Sequence, residues 1–143
     1  MSTFLYDLEA GIVNAILSDP DVAGITVTTS QTDEVKETLS AFVAVEHSRE
    51  LVAGSRVFIL DGTLALRINR SQYSAEEAAA AVQNITAALL NAPSGEDGFE
   101  SFSNGSAKCI GFVMGAQNTN FKDEVEVHVF SFKLWAYQLQ ETN

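Results

Sequence analysis

The chain has 143 residues, 46% of them apolar and 19% charged, a mixture that suits one domain with its own core better than a disordered segment. Nineteen Asp and Glu against eight Lys and Arg give a net charge of −11, which argues against adhesion to phosphate backbones or anionic lipid. A single cysteine excludes an internal disulfide, no apolar run approaches the ~18 residues of a membrane span, and no basic leader with an apolar stretch behind it opens the chain, so no secretory leader is expected.

Phe4, Leu5, Leu8, Ile12, Val13, Ile16 and Leu17 recur at spacings of one, three and four, which predicts an amphipathic helix with Asp7, Glu9 and Asn14 off its apolar stripe. Ser18-Asp19-Pro20 stops it, because a proline disfavours helical geometry in the residue before it. Val22, Ile25 and Val27 suggest a short strand, and the polar run Thr28–Glu34 reads as a loop. Ala41 to Val45 starts a strand that continues toward Glu50, and Gly54 marks a turn. Over Arg56–Arg70, Phe58, Leu60, Leu64, Leu66 and Ile68 share one parity and Asp61, Thr63, Arg67 and Asn69 the other. Asp61-Gly62 has the composition of a tight turn, yet the parity runs unbroken across it, so one long strand with a glycine kink is expected.

Ser74-Ala75-Glu76-Glu77 is a capping box, and Ala78, Ala81, Val82, Ile85 and Leu89 give its helix a buried stripe up to about Asn91, with Ala92-Pro93 as the stop. Residues 93–106 read as a long loop carrying Phe99 and Phe102. Lys108–Ala116 and Glu124–Gln138 read as a closing hairpin joined by Gln117–Asp123, antiparallel because that connection is too short for a crossover. In the last strand His128, Phe130, Phe132 and Leu134 face one way and Val127, Val129 and Trp135 the other, the pattern of a strand covered twice or used at an interface. The predicted fold is therefore α+β: one antiparallel β-sheet with two α-helices on one face, in the order α-β-β-β-α-β-β, as a single domain over 1–143 with mobile loops near 28–40 and 92–106.

Little here looks like catalysis. His47 and His128 lack metal-spaced partners and read as structural or surface residues, and Cys109 reads as a small buried filler. No nucleophile elbow and no phosphate-cradling glycine motif occurs. The carboxylates of 94–100 lack the ligand spacing that calcium requires and read as a solvated loop. No catalytic residue, cofactor or metal is expected. Phe99, Phe102 and Phe121 fall in polar stretches, where they either plug an open end of the core or dock on a neighbouring subunit. Asp33–Glu37 reads as a solvated loop or an arm ordered in an assembly.

Taken in order, these elements resemble the tail terminator (tail completion) proteins of long-tailed bacteriophages. The likeness lies in the opening helix Phe4–Leu17 ending at Ser18-Asp19-Pro20-Asp21-Val22-Ala23, the polar segment after it, the strand Phe42-Val43-Ala44-Val45, the long second strand, the capped helix Ser74–Asn91, and the closing hairpin ending Phe130-Ser131-Phe132-Lys133-Leu134-Trp135-Ala136-Tyr137. The resemblance implies a non-enzymatic structural protein of the virion. It would be made in the host cytoplasm and placed at the head-proximal end of the tail, as a homo-oligomeric ring, commonly a hexamer. Such a ring caps the tail tube protein, ends tube polymerisation and offers a joining surface to a neck or head-completion protein. DNA would pass through the lumen without specific binding, and no membrane is involved. A globule of this length is about 37 Å across, and six in a touching ring leave a hole of that order, wide enough for a duplex. A net negative charge suits a passage that must not hold phosphates. Phe99, Phe102, Phe121, Phe130, Phe132 and Trp135 are the candidate subunit or partner contacts, and the strands 56–70 and 124–138 the candidate sheet surface, one of them extended across subunits. The alternatives are another head–tail joining protein and a small α+β ligand-binding module.

Overall fold

In the computed structural model, residues 4–29, 39–94 and 98–139 are described. Helix α1 (Phe4–Leu17) buries Phe4, Leu8, Ile12 and Ile16 completely, a four-residue spacing that keeps one face on the sheet. Each such side chain contributes about 1.5–3 kcal/mol by leaving water. The helix ends where the Ser18 hydroxyl donates to the Ala15 carbonyl (2.6 Å). The Asp19 carboxylate then caps a 3-10 turn, Pro20–Val22, by accepting from the Asp21 N–H (3.0 Å).

Strands β1 (Thr26–Thr29), β2 (Leu39–Glu50) and β3 (Val57–Asn69) follow, then helix α2 (Ala75–Ser94), a 3-10 turn (Gly98–Phe102), β4 (Ala107–Lys122) and β5 (Val125–Gln138). Among the described residues they build one five-stranded sheet in the order β1-β2-β3-β5-β4, with both helices on one face, so the α-β-β-β-α-β-β order holds. The capping box forms as expected: Ser74 Oγ accepts from the Glu77 N–H and Glu77 Oε1 from the Ser74 N–H, both at 3.1 Å.

β3 runs through Asp61-Gly62 without a break. Gly62 is there for space: it stands opposite Phe132 on β5, and a Cβ would enter the volume of the aromatic ring. The irregularity expected at Gly62 lies instead on β2, where the register shifts between His47 and Arg49.

Several expectations are corrected. The sheet is not wholly antiparallel, since β1 pairs with β2 in parallel, Thr26 beside Ser40 to Thr29 beside Val43. Thr28 and Thr29 therefore belong to a strand rather than a loop. Helix α2 runs on to Ser94 with Pro93 inside its last turn, and the Ala92 carbonyl, one of those a helix end leaves without an intrahelical partner, accepts from the Ser101 hydroxyl (2.8 Å). Residues 98–106 are not a free loop: Phe102 is fully buried, and its carbonyl lies so close to Gly11 that α1 could carry no side chain there. Asn104 and Ala107 exchange backbone hydrogen bonds, and the Asp7 carboxylate holds the Ser106 N–H (2.8 Å) and hydroxyl (2.7 Å). Gln117–Lys122 continues β4, and the turn is only Asp123-Glu124, both at positive φ (54° and 66°) as a two-residue hairpin turn requires. Glu9 faces inward, 2% exposed, its carboxylate accepting from the Val45 N–H (2.9 Å) on β2 just past the reach of β1. The expected arm at Asp33–Glu37, the carboxylates Glu96 and Asp97, and the side chain of His47 lie outside what is described.

Candidate subunit interface

Among the described residues no element covers the sheet face opposite the helices, and the strand parities decide what stands there. On β5, His128, Phe130, Phe132, Leu134 and Ala136 point into the core, while Val127, Val129, Ser131, Lys133 and Trp135 point outward. Phe42, 47% exposed, lies beside Ala65 on β3, which pairs in turn with Val129. Trp135 lies across from Ile59 and over Gly111, whose missing side chain makes room for the indole. A shallow groove of about 240 Å³ opens beside it at the β4 irregularity, lined by Val113, Met114, Gly115 and Trp135 with Asp61 and Lys133 at the rim.

The six aromatic candidates separate by burial. Phe102, Phe130 and Phe132 are 0%, 1% and 3% exposed, and the Phe112 ring lies edge-on to Phe102 (5.2 Å) and tilted against Phe132 (5.4 Å), so these three serve the interior of the chain. Trp135 is half-buried on the uncovered face, and Phe99 and Phe121 are exposed. Phe121 stands on a strand and not in a loop, with the Arg70 guanidinium 6.0 Å from its ring centre. Neither 56–70 nor 124–138 can extend the sheet into a neighbour, because β3 lies between β2 and β5 and β5 between β3 and β4. Among the described residues the free sheet edges belong to β1 and β4.

Near the hairpin tip the core-side face of β4 and β5 carries a polar chain. Thr119 Oγ1 meets His128 Nδ1 at 3.1 Å, His128 Nε2 meets Glu126 Oε2 at 2.8 Å, and Arg70 reaches Glu126 Oε1 at 3.1 Å. The hydrogen bond from His128, with help from Arg70, holds the Glu126 carboxyl below its ordinary value. His128 is 8% exposed, so it is a satisfied buried residue that ties the uncovered end of β4 to β5. Cys109 is buried, its thiol pushed up to about 11 by burial, which keeps it protonated and unreactive.

The β2–β3 turn is a second feature that sequence reading missed. Leu51 and Val52 are 45% and 64% exposed at its tip. Beneath them the Glu50 carboxylate accepts from the Gly54 N–H (3.1 Å) and the Arg56 N–H (2.9 Å), and Arg56 donates to the Gln138 and Leu139 carbonyls at 2.9 Å. The signal was present in Leu51-Val52-Ala53, an apolar triplet against a turn glycine, which a polar turn would not contain. Among the described residues no group of three or more His, Cys, Asp or Glu could hold a metal ion, and no helix is long and apolar enough to cross a membrane.

No protein-family model matches the sequence, and no curated protein sequence does. The fold is similar to that of a chain in a solved structure titled the virion of a native gene transfer agent (GTA) particle, with a TM-score of 0.70 at 11% identity, over 96% of this chain and 99% of that one. A second similarity, to a crystal structure from Akkermansia muciniphila, has a TM-score of 0.32 at 10% identity over 73% of this chain and 44% of the other, too weak to carry an argument.

Proposed function

We propose that the chain is a structural protein of a phage-like virion, and within that class a tail terminator: a ring of identical subunits that caps the tail tube, ends its polymerisation and presents a joining surface to the neck. The observation that carries the reading is the end-to-end likeness, at a TM-score of 0.70, to a chain of the gene transfer agent virion. Two features of the surface agree with an assembling subunit. The sheet face opposite the helices carries Phe42 and Val113, 47% and 55% exposed, and the stiffened β2–β3 tip presents Leu51 and Val52. These patches lie on different parts of the molecule, as the unlike faces of a head-to-tail ring must. Of the six aromatic candidates, Phe99, Phe121 and Trp135 are left to make contacts between subunits or with the tube and neck. The groove beside Trp135 itself is smaller than the ~300 Å³ at which small-molecule sites begin, which does not favour that groove as the pocket of a ligand-binding module.

Native mass measurement over a concentration series, with negative-stain images of the same sample, tests this reading. Rings of about six subunits with an open centre are expected. A two-fold dimer, or a monomer that also fails to bind tail-tube ends, overturns it.

A further inference from the structure

The outer half of β4 is an unusual edge. Residues 115–122 are all exposed, and among the described residues β4 pairs with β5 on one side only. Natural edge strands are kept from pairing by shortness, proline, bulges or charge. β4 is 16 residues long and has no proline, and its register shifts end at Gln117. Beyond them, Gln117-Asn118-Thr119-Asn120-Phe121-Lys122 pairs residue for residue with β5 and carries one charge, at its end. The two-residue turn at Asp123-Glu124 makes Lys122 and Val125 a mutually hydrogen-bonded pair. Alternation from there gives Asn120 and Asn118 the same inward bonding and turns the N–H and C=O groups of Phe121, Thr119 and Gln117 out to the open edge. Two side chains of this segment have partners within the subunit: Thr119 is tied to His128, and Phe121 stands against Arg70.

We infer that this edge, Gln117–Lys122, pairs with the sheet of a second copy of the chain, at that copy's β1, to make one sheet across the subunit junction. The inference rests on the ring reading and names the contact that would close it. Strand direction supports the choice of partner. Counted across the sheet, β1 and β2 run one way, β3 the other, β5 with β2, and β4 against it. A copy placed alongside in the same orientation therefore brings its β1 antiparallel to β4, the better-bonded arrangement. Among the described residues no strand occupies the outer side of β1, so the two ends of the sheet are an unlike pair that a head-to-tail contact joins. Thr26–Thr29 supplies β-branched residues for such a ladder.

Amide hydrogen exchange resolved by residue tests this on the full chain at low and high concentration. On assembly, the Gln117 and Thr119 amides are expected to slow at least about tenfold, since the four residues of β1 reach two outward amides, while Asn118 and Asn120, already bonded to β5, change little. Gln117→Pro removes only an outward N–H. It is expected to leave thermal unfolding unchanged and to raise the concentration for half-assembly about tenfold, as one or two lost edge hydrogen bonds predict. Asn118→Cys mixed with Thr28→Cys is expected to crosslink between copies, with Asn120→Cys and Thr28→Cys covering a two-residue slip; the buried, protonated Cys109 stays silent. Rings whose 117 and 119 amides exchange as fast as in the monomer would overturn this inference and leave the ring reading standing. Crosslinking of Asn120→Cys to itself, with a two-fold dimer, would overturn both by showing β4 against β4. A chain that stays monomeric at every concentration also overturns the inference.

Discussion

Two residues carry more than their own packing. Gly62 lets the Phe132 ring lie flat against β3, so Gly62→Ala must push a buried ring aside; a loss of about 1–3 kcal/mol in urea unfolding is expected, from overpacking in a tight core. Glu126 has its carboxyl held below the ordinary 4.5 by the hydrogen bond from His128. A carboxylate depressed in the folded state stabilises fully above its unfolded pKa, and that contribution is lost as the pH falls through the folded one. Wild type is therefore expected to lose thermal stability on acidification below pH ~4.5 more steeply than Glu126→Gln, while the variant is less stable at pH 7. Melting curves at both pH values decide it, and parallel curves would remove Glu126 from the acid response.

Among the elements, the 3-10 turn Gly98–Phe102 is the clearest division of labour, one phenylalanine inward and one outward. Phe102→Ala is expected to cost about 3–5 kcal/mol because its ring fills space between α1, α2 and β4. Phe99→Ala, at a site 41% exposed, should leave unfolding within about 0.5 kcal/mol of wild type and weaken assembly if Phe99 lies at a junction. Chemical denaturation and sedimentation of the two variants separate the effects. For the same reason, deleting 95–104 would not simply remove a docking loop; it would open the core at Phe102. The elements legible in the sequence were those that bury one face. The stripe of α1, the parity of β3 through Asp61-Gly62, and the Ser74/Glu77 box all state their geometry locally. The missed ones are set by distant partners. Gln117–Lys122 has no buried face and so no parity, although its backbone pairs along its whole length. Glu9 looked solvated because its partner, the Val45 N–H, belongs to another element. The parallel placing of β1 is written in neither strand. Among the candidate contacts, Phe99, Phe102 and Phe121 stand in equally polar stretches, yet Phe102 is buried and the other two are exposed, because burial there, as for Phe130 and Phe132, depends on which face of each element meets the helices.

For the whole molecule, the net charge of −11 sets a condition on assembly. Like-charged subunits repel over the Debye length, about 30 Å at 0.01 M salt and about 8 Å at 0.15 M. If the contacts are the apolar and backbone ones described above, raising salt over that range should favour the assembled form. Sedimentation velocity at both salt concentrations reads this directly, and assembly that weakens with salt would point to ion pairs at the junction instead.

The position of β5 has a consequence for how the chain reaches this state. It lies between β3 and β4, bonded to both along nearly its full length, yet α2 and the 3-10 turn separate it from β3 in the sequence. The β2–β3 hairpin can form early, but its inner strand has no neighbour on the β5 side until the closing hairpin has been synthesised. Closing that gap is a slow, long-range step that the local contacts of the helices do not hasten. During it the chain exposes a Leu- and Ile-rich strand flank, and at high concentration this is where nascent copies would mispair before any ordered contact between finished subunits could form.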